Sequence, residues 1–209
     1  MNLLHLDASA RRASLSRELS ATWAKRWRTE HPDGGYHYRD LAADPVPHIG
    51  EAWTELCDYV MAHRITEIAR YREAARTPAQ IEAWDVLEPL LNELVWADVV
   101  LIGTPMYNYS IPSSLKAWLD QVTFPRMSLA GRRFVVTSAR GGIYTGDAPK
   151  APLDHQERYL RDFFHGHFAV DDVTFIHAEL ANARIDPLLA HLREQHEQSL
   201  AAARQEAGR

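Results

Sequence analysis

The chain has 209 residues, 46% of them hydrophobic and 24% charged, with a formal net charge of −5. That length suits one α/β domain spanning residues 1–209 with a sizeable core, and the mild acidity without a dense Lys/Arg block argues against nucleic acid as a partner. No apolar run approaches the roughly 18–20 residues of a membrane helix, Met1–His5 turns polar too early for a secretory signal, and the single Cys57 permits neither an internal disulfide nor a thiolate metal cluster. A soluble, cytoplasmic protein is expected.

Leu3–Leu6 reads as a first short strand, followed by a loop from Asp7 to Ala13. Ser14–Glu30 is helical, with Leu15, Leu19, Trp23 and Trp27 at four-residue steps. After Gly34-Gly35, Tyr36–Arg39 alternates as a second strand. Asp40–Pro47 is an irregular connection, and Glu51–Ala75 favours helix. Thr77 as N-cap and Pro78 at the first helical position start another helix through Leu94. Ala97–Ile102, rich in β-branched residues, suits a strand buried on both faces of a parallel sheet. Gly103–Pro112 is then a loop, and Ser113–Val122 a helix. Phe134–Thr137 is a fourth strand, Ser138–Tyr144 a loop and Pro152–His165 a helix. Val170–His177 is a fifth strand, and Asp186-Pro187 opens a last helix to about Ala203. Strands alternating with helices predict a parallel sheet with helices on both faces, and five such strands fit the flavodoxin-like order 2-1-3-4-5.

Open sheets of this kind bind ligands at the carboxyl ends of their strands, where the strand order reverses. Three loops fall on that edge. The first, Ser9-Ala10-Arg11-Arg12-Ala13-Ser14-Leu15-Ser16, precedes a helix whose N-terminus offers unpaired N–H groups and a partial positive charge to a phosphate. Ser14 suits plain N-capping equally well. The stretch lacks both Gly-x-Gly-x-x-Gly and a Gly-Lys-Ser/Thr ending, so it fits one terminal phosphate better than a dinucleotide pyrophosphate. The second loop, Pro105-Met106-Tyr107-Asn108-Tyr109, carries two aromatics, a thioether and an amide, a wall for a flat heteroaromatic ring with polar edges. The third, Ala139-Arg140-Gly141-Gly142, allows close backbone approach to the same ring. A phosphate at one end and a flat ring at the other describe FMN.

These residues resemble the FMN-dependent NADH:quinone oxidoreductases, also called azoreductases. The likeness rests on Ser9-x-Arg11 with Ser14-x-Ser16, Pro105-Met106-Tyr107-Asn108-Tyr109-x-Ile111-Pro112, and Arg140-Gly141-Gly142. Smaller echoes are Arg39-Asp40-Leu41-Ala42, Leu115-Lys116-x-Trp118-Leu119-Asp120 and Tyr159-Leu160. The resemblance implies a flavodoxin-like fold and a homodimer with one FMN per subunit near the interface. It also implies hydride transfer from NADH or NADPH to a quinone or azo acceptor. By it, Ser9, Ser14, Leu15 and Ser16 match the phosphate side. Met106, Tyr107, Asn108 and Tyr109 match one ring-side loop, and Ala139, Arg140, Gly141 and Gly142 the other. Thr123–Gly131 is short beside relatives with a longer excursion that helps cover the flavin. The shortness suggests a more open cofactor face and, as a variant, a dedicated reductase of a polycyclic quinone. The histidine-rich Phe163–Phe168 is expected near the acceptor.

In such chemistry the flavin carries the reaction and the protein positions it, so ping-pong kinetics are expected and no side chain has to act as acid or base. Tyr107 and Tyr144 are candidate proton donors, although loop tyrosines more often pack or stack. The backbone N–H groups of Asn108 and Gly142 are expected to tune the ring. Cys57 is expected as a small buried hydrophobe. His165 and His167, two apart without a third ligand, predict no metal site. His191 and His196 are expected on a solvated surface. The helical stretch Glu51–Leu94 either reaches a partner subunit or thickens one helical layer. Two other functions stand against the reductase. A flavodoxin-type electron carrier is disfavoured by the chain's size and mild charge, and a flavin-free binding module by its intact loops.

Overall fold

The computed structural model describes all 209 residues. Its centre is a five-stranded parallel sheet in the order β2-β1-β3-β4-β5, as the sequence predicts. The strands are β1 (Asn2–Asp7), β2 (Gly35–Asp40), β3 (Val99–Pro105), β4 (Arg133–Ala139) and β5 (Val173–Ala178). All of β3 is buried, which explains its continuous apolar run. Register pairs Leu101 of β3 with His5 of β1 and Val135 of β4. Alternate strand residues therefore feed opposite faces. Leu4, Leu6, Val100, Ile102, Phe134 and Val136 enter a large core with α2 (Glu51–Ala62), α3 (Pro78–Trp96), α4 (Ser113–Val122) and α5 (His155–Phe168). Leu3, Val99, Leu101, Val135 and Ile176 pack with α1 (Leu15–Glu30) and α6 (Arg193–Ala207) on the other face.

Helix starts follow local chemistry. Ser14 caps α1 through the Arg17 N–H, and Thr77 and Gln80 form a reciprocal capping box on α3. Asp154 caps α5, accepting the N–H groups of Gln156 and Glu157. Helix α5 begins at His155 rather than Pro152, because residues 151–153 form a separate 3₁₀ turn.

Two further boundaries depart from the sequence reading. Glu51–Ala75 is not one helix. It ends at Ala62, and a 3₁₀ segment, Ile68–Ala74, follows a turn through Arg64 at φ 53°. The break returns Ile65, Tyr71 and Ala74 to the core, burial that an unbroken helix would forgo. The stretch from Glu51 to Leu94 thus thickens the helical layer of its own chain. The last helix likewise begins at Arg193, after a 3₁₀ segment over Pro187–Leu192. His196 is fully buried there, not solvated, and its Nδ1 lies 2.7 Å from the Glu179 carbonyl oxygen. His191 is exposed. Cys57 is buried, and burial followed by the charge of Asp58 pushes its thiol up to about 12.

The segment from Thr123 to Gly131 lies at the amino edge of the sheet. Its Phe124, Met127 and Leu129 are buried in the larger core, and Arg132 beside it hydrogen-bonds the carbonyls of Val95 and Ala97. The His165–His167 end of α5 also lies away from the carboxyl edge. His165 meets Asp171 at 2.7 Å, while His167 packs on Phe163.

Candidate cofactor site

At the carboxyl ends of β1, β3 and β4 lies a cavity of about 630 Å³, within the size range of small-molecule sites. It forms at the switch point, since β1 leads outward to β2 and β3 leads the other way to β4. Of the residues singled out in the sequence, Ser9, Arg11, Ser14, Leu15, Pro105, Met106, Tyr107, Asn108, Tyr109, Ala139, Gly141 and Tyr144 line it. Ser16, Arg140 and Gly142 do not.

The first wall is the start of α1. The Ser14 hydroxyl already accepts the Arg17 N–H at 3.3 Å and lies 3.0 Å from the Ser16 hydroxyl. The Leu15 and Ser16 amides, at the first helical positions, have no partner within the helix. They form an anion-receptive end beside Ser9 and Arg11. Ser16 is fully buried, and its carbonyl accepts the Thr137 hydroxyl at 3.1 Å, which pins the start of α1 over β4. Arg17 is not free for a ligand. It is held by Asp40 at 2.7 Å, by the Ser9 carbonyl at 2.7 Å and by the Tyr38 hydroxyl at 3.0 Å.

The second wall is a tight turn. Tyr107 and Ser110 exchange both backbone hydrogen bonds, at 3.0 and 2.9 Å, around Asn108 (φ 49°) and Tyr109 (φ 67°). Two consecutive residues with positive φ inside such a pair have the signs of a type I′ turn, where Asn is favoured at the first central position. Tyr109 at the second is a strained choice. The turn pushes both side chains outward, and the Tyr109 ring stands edge-on to Tyr144 at 6.2 Å between centroids. Burial raises the Tyr144 hydroxyl pKa above its ordinary value.

The third wall is braced from behind. Arg140 is fully buried and points away from the cavity. Its guanidinium faces Asp154 at 2.9 Å, Glu157 at 3.6 Å and Glu179 at 3.8 Å, and its Nε donates to the Ser138 hydroxyl at 3.2 Å. Ser138 Oγ lies 2.7 Å from His177 Nδ1, and His177 Nε2 lies 2.7 Å from Glu157. Desolvation pushes the Glu157 carboxyl up, but hydrogen bonds from His177 and Arg161 prevail and hold it at about 2. Glu179 accepts the Tyr144 N–H and the Thr145 hydroxyl, each at 2.8 Å. The paired glycines also differ in what surrounds them within the chain. A Cβ on Gly141 would lie 2.7 Å from the Asn182 amide, so this glycine makes room for a neighbouring turn. A Cβ on Gly142 would first meet the Tyr144 ring, at ordinary contact distance.

Lys150, Asn182, Arg184 and Ile185 also line the cavity and belong to no motif in the sequence. They come from connections after β4 and β5, and only the folded chain brings them together. No residue from 123 to 131, and none from 163 to 168, lines it. Within one chain, the short segment after Phe124 therefore does not open this cavity, and the histidines of α5 are not part of it.

Donors for a phosphate at one end and an amide-bearing, aromatic-rimmed turn at the other fit FMN. The fold and this site define the class, and the model for the flavodoxin-like fold family matches residues 1–203. The chain is 65% identical over 201 residues to the FMN-dependent NADH:quinone oxidoreductase of Nocardia farcinica, covering 96% of this chain and 93% of that protein. To the enzyme of the same name from Azotobacter vinelandii it is 41% identical over 192 residues, covering 86% and 88%. The chain belongs to the FMN-dependent NADH:quinone oxidoreductase family. Solved structures share the fold at low identity. An azoreductase from Bacillus anthracis str. Sterne superimposes with a TM-score of 0.77 at 18% identity, covering 100% and 97% of the two chains. An FMN-dependent NADH-azoreductase from Bacillus anthracis str. Ames Ancestor, in complex with FMN, gives 0.72 at 21%, covering 99% and 100%.

Proposed function

We propose that the protein is an FMN-dependent NAD(P)H oxidoreductase that passes two electrons to quinone-type or azo-type aromatic acceptors. The observation that carries this reading is the shared cavity: the start of α1 and the Asn108-Tyr109 turn face one space of about 630 Å³. Family membership at 65% identity supports it. In this reading residues 1–209 act as one flavin-binding unit in the cytoplasm. No helix is long and apolar enough to cross a membrane.

Ser9, Arg11, Ser14 and the amides of Leu15 and Ser16 hold the phosphate. Pro105, Met106, Tyr107, Asn108 and Tyr109 hold one side of the ring, and Ala139 and Gly141 hold another. Gly142 and Arg140 act from behind, the first through backbone geometry and the second through its carboxylate partners. Bound there, FMN supplies the hydride chemistry, which the protein's own groups do not. The exposed rings of Tyr107 and Tyr109 shape the entrance through which the nicotinamide and the acceptor pass in turn, giving ping-pong kinetics. Tyr144 stands ready to give a hydrogen bond to a reduced acceptor. A homodimer with the cofactor near its interface belongs to the same reading. Its support on this chain is the apolar exposure at the mouth, where Ile185 is 68% exposed.

The test is a flavin spectrum. Protein reconstituted with FMN is recorded before and after anaerobic NADH, and then NADPH. Rapid bleaching by either donor is the expected result and identifies the donor. Bound flavin that neither donor bleaches would indicate a carrier instead, and no bound flavin a binding module.

A further inference from the structure

We infer that Arg184, which lies outside every motif of the sequence, is a second cation, beside Arg11, that pairs with the phosphate of the bound flavin. The inference rests on the FMN reading above. It starts from position. Arg184 lines the main cavity, and it also lines an adjoining groove formed by the start of α1, including Ala13, Ser14 and Leu15. It therefore stands beside the helix terminus whose free amides attract an anion.

Two of the neighbouring charges are engaged within the chain. Arg17, the arginine on α1 nearest that terminus, is taken by Asp40, the Ser9 carbonyl and Tyr38. Glu18, the acidic residue in the first turn, is held by Arg204 at 2.6 Å. Arg184 makes no ion pair within the chain, so its charge is available to a ligand. Arg11, Arg12 and Lys150 are also unpaired, but of these two spaces Arg11 and Lys150 line only the main cavity and Arg12 only the adjoining groove, whereas Arg184 lines both.

Arg184 is delivered by a fixed support. It ends the short 3₁₀ turn Ala181–Arg184. Leu180, Ala181 and Asn182 donate their backbone N–H groups to the carbonyls of Gly142, Arg140 and Gly141, at 3.1, 2.8 and 3.4 Å. Ala183 is fully buried, and its carbonyl accepts the Arg193 Nε at 3.1 Å. The backbone that aims Arg184 at the phosphate end is thus hydrogen-bonded to the loop at the ring end. A guanidinium suits this task because its forked donors match phosphate oxygens.

The experiment compares FMN with riboflavin, which lacks the phosphate, by flavin fluorescence on binding to apoprotein. Arg184→Ala is expected to weaken FMN by about tenfold or more, as for loss of a charge-assisted hydrogen bond. Riboflavin affinity should stay the same, and that second ligand also reports that the variant is folded. Arg184→Lys should recover part of the FMN affinity, and the wild-type preference for FMN should shrink as salt rises. Arg11→Ala should change the FMN-to-riboflavin ratio less than Arg184→Ala does. An unchanged FMN affinity in Arg184→Ala, or an equal loss for both flavins, overturns the assignment while leaving the FMN reading intact. Wild-type protein that binds neither flavin overturns both.

Discussion

Glu179 accepts the backbone N–H of Tyr144 at 2.8 Å, tying the loop after β4 to the end of β5. The same carboxylate takes the Thr145 hydroxyl and stands 3.8 Å from the buried Arg140 guanidinium. Glu179→Ala leaves that amide and hydroxyl without their partner. A lost hydrogen bond to a charged group costs about 1.5–3 kcal/mol, and urea unfolding should show a loss of that order. Glu179→Gln keeps an acceptor for Tyr144 and should lose less. Hydrogen exchange at the Tyr144 amide should accelerate in the alanine variant. If exchange there stays as slow as in the wild type, the carboxylate does not hold the loop.

Gly103 of β3 faces Asp7 of β1 across the sheet, and a Cβ there would overlap the Asp7 carboxylate and lie 2.7 Å from Ser20 Oγ. Asp7 is buried and held by Ser20 at 2.9 Å and Tyr38 at 3.0 Å, so it has little room to yield. Gly103→Ala should destabilise by about 1–3 kcal/mol through overpacking. Because Asp7 leads directly into the Ser9 loop, FMN affinity should fall as well. Gly103→Ala combined with Ser20→Ala should lose less than the sum of the two single changes, since the second relieves one of the close contacts. Strict additivity in urea titrations would mean that the crowding is absorbed elsewhere.

These two sites show what the sequence makes legible. Strand order follows from alternating β-branched runs and helical periods, and the cavity-lining loops follow from their places after β1, β3 and β4. The break after Ala62 leaves no mark, because residues 62–67 contain neither Gly nor Pro, and the gain from burying Ile65 and Tyr71 is tertiary. The same holds for His196, whose burial depends on the Glu179 carbonyl. Arg140 is read correctly as part of the loop, but its side chain turns inward to carboxylates that are 14, 17 and 39 residues further along (154 − 140, 157 − 140, 179 − 140). Lys150, Asn182 and Arg184 are cavity residues only because two connections converge, and no local spacing announces that.

Asn108 and Tyr109 occupy left-handed backbone, at φ 49° and 67°. Asn108→Gly should keep the turn while removing the amide, and Asn108→Val should strain it by about 1–3 kcal/mol. The pair separates two roles. If the backbone alone reads the flavin edge, the glycine variant binds FMN like the wild type. If the amide contributes, the glycine variant binds more weakly at unchanged stability. Equal stability of the valine and glycine variants in urea would contradict the strained-turn account.

The network behind Arg140 should also give the protein a measurable acid sensitivity. Glu157 has a carboxyl held at about 2 in the folded chain, against an ordinary value of 4.5. Burial alone would push it up; His177 and Arg161 together prevail. A depressed carboxylate stabilises the fold fully above its unfolded value, because only the folded chain then favours the charged form. As pH falls from about 4.5 towards about 2, the unfolded chain takes up the proton first, and the stabilisation drains away. Glu157→Gln removes this linkage. The variant should be less stable than the wild type at pH 6, and the gap should narrow steadily on acidification. Comparing urea midpoints of the two proteins across that range cancels the acid response of other carboxylates. A gap that is constant with pH would mean that Glu157 stabilises by packing rather than by its charge, and that the bracing of the ring-side loop does not depend on ionisation there.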